Sequence, residues 1–386
     1  MAAQGLERRI VERMAAIERA GLRRTLRPPS GVDLSSNDYL GLARDPRVLE
    51  RFISAVRDEG CGATGSRLLR GHRTAFTDVE RRFAGFKRAE AALYFGSGYA
   101  ANLGVLATFL EPDDVVFSDA LNHASLIDGV RLSKARRVVF PHRDVDELAR
   151  LLRAERSSGQ KFLVTESVFS MDGDEAPLAD YAALCGDTGT ALIVDEAHAV
   201  GVRGANGSGL IDESDVAAAV FLSVNTAGKA LGAAGAFVAG AGWAIDYLVQ
   251  RARTFVFSTA APPSLAAAVD AALDIVEAEP GRRQRVRQLA ASLRGILARH
   301  DLTAAAGAHI IPVILGDAAR AIAVADEMAA AGYDVRAIRP PTVPEGTSRL
   351  RISVNALLDV PTLEGFAAAL VSSVERTAPA RVKGSG

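Results

Sequence analysis

Two cysteines, one tryptophan, six histidines and five lysines are all that 386 residues contain of these types. Each scarcity excludes something. Cys61 and Cys185 are too few for a disulfide framework and form no CxxC or other metal-type spacing, so no metal site is expected and a reducing cytoplasm is the expected setting. No apolar run approaches the roughly 20 residues that a bilayer span needs, and the opening segment has no signal-type apolar core. Neither sign of charge is in excess: 45 basic residues face 46 acidic ones. That balance gives no electrostatic ground for binding nucleic acid or an anionic membrane, and it leaves any phosphate binding to a local site. With 49% apolar and 24% charged residues, the composition is that of an ordinary globular chain. Its length suits one large domain with a smaller companion.

The shortage of lysine makes each one conspicuous. Lys87, Lys134, Lys161 and Lys383 lie in polar stretches. Lys229 sits instead in FLSVNTAGKALGAAGAF, hemmed in by Gly228, Gly232 and Gly235 and following a run, Ala217 to Val224, that reads as a buried strand. An ammonium there costs desolvation energy unless it is paired or its pKa falls, and a lowered pKa leaves a nucleophilic amine. That is the chemistry of a Schiff-base lysine. An ordinary lysine on the loop after a strand is the competing reading of this segment.

The pattern along the chain is α/β. Leu6, Ile10, Met14 and Ile17 recur at helical spacing, giving an amphipathic helix expected to pack on the body of the protein or on a partner subunit. Residues 1–44 are this helix and an arm. From 45 to 276 strand-like runs alternate with helical patterns, as a mainly parallel central sheet covered on both faces requires: AALYF (91–95), DVVFS (114–118), RRVVF (136–140), KFLVT (161–165), ALIVD (191–195), AAVFLSV (218–224) and AFVAG (236–240). From 277 to 386 an Arg-rich helix, HIIPVIL, a helix over 318–331, YDVRAI, SRLRISV and a helix from Val360 read as a smaller α+β domain. The tail APARVKGSG is expected to be disordered.

Ligands of open α/β sheets collect beyond the carboxyl ends of strands, so the loops there carry the functional signal. In YFGSGYAANLGVL, Gly96, Ser97 and Gly98 end a strand and open a helix, whose free N–H groups and dipole make a phosphate cradle. The same stretch satisfies a loose G-x-G-x-x-A with Asp119 at the distance of a ribose-binding acid, which keeps a nicotinamide dehydrogenase in play. SDALNHASLIDG holds His123, a helix cap or a catalyst. LVTESVFSMDGDEAPL places Glu166, Ser167 and Ser170 just after a strand, and Asp172 and Asp174 read as turn formers. In ALIVDEAHAVGVRG, Asp195 ends a buried strand, where a bare carboxylate needs a positive group facing it. A protonated pyridine nitrogen is such a group, and His198 could reach another substituent of that ring. An Asp/His metal pair competes, without a recognisable third ligand. Together, a phosphate cradle, a ring-nitrogen acid, two histidines and a sequestered lysine describe a pyridoxal 5′-phosphate (PLP) site, with Thr226 adding a hydroxyl to the phosphate.

Over nearly its whole length the chain resembles the fold-type I PLP-dependent transferases, specifically the α-oxoamine synthases. The likeness runs through LSSNDYLGLARDP, GATGSRLLRG, FGSGYAANLGVL, NHASLIDG, TESVFSMDGDEAPL, VDEAHAVGVRG, TAGKALG and IRPPTVPEGTSRLRISV. The resemblance implies decarboxylative condensation of an amino acid with an acyl thioester. Its AIRPPTVPEGTSRLRIS stretch looks most like the members that join L-alanine to a pimeloyl group on coenzyme A or acyl carrier protein. By the same resemblance Lys229 is the Schiff-base lysine, Asp195 the pyridinium partner, His123 the residue stacked on the ring and in touch with substrate, and His198 the partner of the ring hydroxyl. Ser170 lies close to the cofactor, and Gly98, Tyr99 and Thr226 hold the phosphate. Arg351 pairs with the amino-acid carboxylate, a task suited to a guanidinium fork. Arg23 and Thr342 touch substrate, with Arg23 the candidate for the far carboxylate of the pimeloyl tail. Members are homodimers with shared sites, so Ser258 and Thr259 are expected to reach the partner's phosphate. Three positions depart from the pattern: Arg70 after SRLL, Ala199 in place of a glycine, and Leu357 in a stretch that often carries a histidine.

Overall fold

The computed structural model describes residues 2–304 and 307–378, so the tail beyond Ala378 lies outside the described residues. Twelve strands are present among them: β1 Val32–Asp33, β2 Ala91–Phe95, β3 Val115–Asp119, β4 Arg136–Phe140, β5 Lys161–Glu166, β6 Thr190–Asp195, β7 Val220–Thr226, β8 Ala236–Gly240, β9 Ile310–Gly316, β10 Tyr333–Asp334, β11 Ala337–Ile338 and β12 Ser348–Ser353. Seven of them form one sheet in the order β2-β8-β7-β6-β5-β3-β4. Only β8 runs against its neighbours, being antiparallel to both β2 and β7.

The continuous apolar runs of β5 and β6 follow from burial on both faces. Leu163, Leu192 and Val194 point into one core, Phe162, Val164 and Ile193 into the other. A strand with one wet face would have alternated with polar residues. A three-stranded antiparallel sheet, β11-β12-β9, has its own core with the helices Pro280–Ala298, Ala318–Ala330 and Val360–Arg376. Leu34 of the arm belongs to that third core, because β1 pairs in parallel with β10.

Two expectations need correction, and a third loses one of its two alternatives. Ala217–Ala219 form a 3₁₀ turn, and the strand starts at Val220 and runs on to Thr226. Three alanines in a row carry no β-branched side chain to favour the pleat, and Val220 is the first that does. YDVRAI is split between two sheets, β10 on β1 and β11 on β12. The helix Ala2–Arg19 does not bury its apolar stripe on this chain: Leu6, Ile10, Val11, Met14 and Ile17 are all exposed.

Candidate active site

Five loops converge beyond the carboxyl ends of β2, β3, β5, β6 and β7. The turn after β7 is held by Ala227 N–H on the Gly235 carbonyl (2.9 Å). Gly232 and Gly235 have positive φ, and a Cβ at either would strike its neighbour: the Ala43 nitrogen at 2.4 Å for Gly232, the Tyr94 hydroxyl at 2.1 Å for Gly235. The glycines around Lys229 are therefore demanded by a sharp turn pressed onto the arm and β2.

Lys229 is half-buried, and its Nζ lies 2.7 Å from His198 Nε2. Burial pulls its pKa down to about 8, against the opposing pull of Asp195 and Glu166. His198 is buried, and burial, with Lys229 and Arg351 nearby, holds it well below the usual imidazole range. Its Nδ1 lies 2.7 Å from the hydroxyl of Tyr39, a residue fully buried in the arm.

Asp195, at the end of β6, is buried and forms no ion pair among the described residues. Its oxygens take the Ala197 N–H (2.8 Å) and the Asn102 amide (2.7 Å). Asn102 also reaches the Ser125 hydroxyl (2.9 Å), which lies 2.7 Å from His123 Nδ1. His123 is at once the N-cap of the helix Ala124–Ser133, through the Ser125 N–H, and an exposed ring beside the edge of Tyr99. The capping reading of that histidine holds, and its exposed ring is left free of any structural partner but Ser125 and the Tyr99 edge among the described residues.

Glu166 lies beside Asp195 in register between β5 and β6. It is buried, one oxygen taking the Ser170 N–H (3.1 Å) and the other having no partner. Burial and the neighbouring Asp195 push its pKa up to about 8. On the opposite wall Arg351 of β12 is buried without a carboxylate partner among the described residues. It donates to the Ser170 carbonyl, the Ser353 hydroxyl (2.8 Å) and the Tyr39 hydroxyl (3.4 Å). Arg349, two residues earlier, is by contrast taken up by Asp172.

The residues expected to hold a phosphate lie together at one helix N-terminus. Ser97 caps the helix Gly98–Phe109, and a Cβ on Gly98 would sit 3.8 Å from the Thr226 hydroxyl. Tyr99 is exposed and bonds Asp128. Ser258 and Thr259 line a cleft with Gly96 and Arg67. Of the residues expected to touch substrate, Thr342 is reached at its hydroxyl by Arg24 (3.2 Å), while Arg23 folds back onto Glu18 (3.1 Å), and all three lie near Arg339. Arg70 is exposed, and Leu357 lies over Gly41.

The rival readings lose their residues. Asp119 is committed to His142 (2.8 Å) and to the Leu121 and Arg143 N–H groups, leaving it no freedom to hold a ribose. No group of acidic, histidine or cysteine residues suited to a metal ion exists among the described residues, and both nitrogens of His198 are already taken. Asp172 and Asp174 flank the positive-φ turn at Gly173 and also make ion pairs, with Arg349 and His142. The residues that sequence reasoning left without a role are Tyr39, Asn102, Ser125 and Glu166. The one available signal was polar residues inside otherwise apolar motifs, and it does not tell which partner each will meet.

A lysine on the turn after one strand of a mainly parallel seven-stranded sheet, faced by a buried aspartate from the next strand, defines a fold-type I PLP-dependent enzyme. The chain belongs to the aminotransferase class I and II family, whose model matches residues 29–370. Among curated relatives, the 8-amino-7-oxononanoate synthase of Anaeromyxobacter dehalogenans is 47% identical over 97% of both chains. That of Geobacter sulfurreducens is 42% identical over 95% of this chain and 97% of its own. Among solved structures, the Sphingomonas wittichii serine palmitoyltransferase superposes with a TM-score of 0.88 at 30% identity, covering 95% and 96% of the two chains. The 8-amino-7-oxononanoate synthase of Francisella tularensis does so with a TM-score of 0.77 at 28% identity, covering 90% and 98%.

Proposed function

We propose that this protein condenses L-alanine with a pimeloyl thioester to give 8-amino-7-oxononanoate, carbon dioxide and free thiol, a step of biotin biosynthesis. The observation that carries the reading is a pair of buried charges that both act on Lys229 and form no ion pair among the described residues: Asp195, held only by neutral amides, and Arg351, held only by a carbonyl and hydroxyls. A buried charge is costly until something pairs it. The protonated ring nitrogen of PLP suits Asp195, and the carboxylate of an α-amino acid suits Arg351. The curated relatives' names supply the particular amino acid and acyl group.

The donor set fits PLP. Gly98 and Tyr99 at the helix N-terminus, with Thr226, would hold its phosphate; His123 would cover the ring, with Ser170 nearby; His198 would meet the ring oxygen. When bound, PLP supplies an electron sink for the carbon next to the amine. Lys229 would hold the cofactor aldehyde, and its amine is the group placed to take the alanine Cα proton and return one. Lowering of its pKa to about 8 leaves a usable fraction of neutral amine just above neutral pH. Arg351 fixes the alanine carboxylate, and so orients the Cα–H bond toward the lysine. Thr342 with the arm at Arg23 and Arg24 forms the acyl side.

We further read the chain as one subunit of a cytoplasmic homodimer whose site is completed by Ser258 and Thr259 of the other copy. The exposed Leu6, Ile10, Met14 and Ile17 support an intermolecular role for the first helix. No described helix is long and apolar enough to cross a membrane.

The test is direct. The purified protein should be yellow, borohydride should fix the cofactor on Lys229, and thiol release should be fastest with alanine and a pimeloyl thioester. Release that is faster with glycine and acetyl-CoA would replace this substrate assignment while keeping the cofactor chemistry. Running coenzyme A and acyl carrier protein thioesters side by side identifies the carrier.

A further inference from the structure

We propose that the Tyr39 hydroxyl is a positioning group that sets the tautomer of His198, keeping its proton on Nδ1 so that the ring nitrogen facing Lys229 accepts a hydrogen bond from the lysine in both its charged and its neutral form. The inference rests on Lys229 as the reactive amine and not on the choice of acyl substrate.

Two groups that can only donate fix the direction of the chain: an ammonium and a guanidinium. Lys229 Nζ is 2.7 Å from His198 Nε2, so a charged lysine makes Nε2 the acceptor. The neutral imidazole then carries its proton on Nδ1 and donates it to the Tyr39 oxygen, 2.7 Å away. Arg351 donates to the same oxygen (3.4 Å). The tyrosine's single proton is left one acceptor, Asn37 Oδ1 at 2.9 Å. A second proton on His198 is opposed by burial and by the cations beside it, Lys229 and Arg351, while the neighbouring imidazoles His309 and His123 are themselves held below the usual range by burial. Asp195 and Glu166 face the lysine and not the histidine in this balance. The phenol ring is held in place edge-on to the buried His309, with centroids 4.0 Å apart.

When Lys229 loses a proton, its neutral amine keeps two N–H groups and goes on donating to Nε2, so no other hydrogen bond of the chain changes. The lone pair of the amine is thereby left free of the histidine. Tyr39 also accepts from Arg351, so the histidine tautomer itself is the readout that separates the two contacts.

The experiment is ¹⁵N NMR of histidine-labelled full-length protein stripped of cofactor, titrated through the Lys229 pKa, with PLP rebinding as the check on folding. The wild type should stay Nδ1–H on both sides of that pKa. Tyr39→Phe takes the acceptor from Nδ1–H, and Asn37→Ala frees the tyrosine proton to turn to Nδ1. Above the Lys229 pKa each should raise the ratio of Nε2–H to Nδ1–H by roughly 2- to 10-fold, the size of one neutral hydrogen bond. Asn37→Asp restores an acceptor and should keep the wild-type ratio. An Nε2–H tautomer in the wild type, or a ratio that Tyr39→Phe leaves in place, overturns the proposal. If Tyr39→Phe fails to rebind PLP, the Asn37 pair decides: equal ratios in the Ala and Asp variants defeat it.

Discussion

At the scale of single residues, the site is a set of charges placed where water cannot compensate them. Arg351 spends three contacts on the Ser170 carbonyl, Ser353 and Tyr39, and keeps the rest of its fork for a ligand. Lysine has the charge without the fork. Arg351→Lys should therefore reduce kcat/KM for alanine about 10- to 100-fold, mainly through KM, measured by initial rates at saturating thioester. Glu166 shows the opposite situation, a carboxyl kept protonated up to about pH 8 from an ordinary value of 4.5. Between those values the folded state binds a proton that the unfolded chain has lost, so this residue's stabilising contribution, whole below pH 4.5, is lost as pH rises through 8. Glu166→Gln removes that loss. Its Tm should exceed the wild type's by a margin that grows from pH 5 to 8, read by differential scanning fluorimetry; a constant margin would mean that the carboxyl is not the cause.

Elements position these charges. β5, β6 and β7 end in Glu166, Asp195 and Thr226, and the turn after β7 swings Lys229 back over them. That turn depends on glycine at 235, where φ is +86° and a Cβ would fall 2.1 Å from the Tyr94 hydroxyl. Gly235→Ala should cost more than about 3 kcal/mol of stability, through backbone strain and the clash together, and should weaken PLP binding, as urea unfolding and a PLP titration would show. A gentler change tests the helix at the phosphate cradle. Ser97→Ala deletes the cap on the Ala100 N–H (3.1 Å), and should cost about 1 kcal/mol of stability while raising the Kd for PLP.

For the whole molecule, the consequence is that the site belongs to no one stretch of chain. Tyr39 comes from the arm, Lys229 and Asp195 from the large sheet, Arg351 from the three-stranded sheet, and Arg349 to Asp172 ties the last to the loop after β5. The exposed apolar stripe of the first helix extends the same logic to a second copy. Changing Leu6, Ile10 and Met14 together to aspartate should shift the sedimentation mass toward that of a single chain, without changing the circular dichroism of the body.

The sequence alone determined the sheet. β2 and β8 fall on the expected residues, because their buried runs are continuously apolar, and so does the edge strand β4, where Val138, Val139 and Phe140 carry the strand signal although most of its side chains are exposed. It also singled out Lys229 and Asp195, since a charge in apolar surroundings is visible as a local contradiction, whereas Arg351 and the roles of His123 and His198 were implied by the family resemblance. Partnership was decided only by the tertiary structure. That Arg351 is spare while Arg349 is paired, that Arg24 and not Arg23 meets Thr342, and that Tyr39 stands between Arg351 and His198 all depend on which distant segments the fold presses together. Local pattern carries the cost of burying a polar group; it does not carry the address of the group that offsets that cost.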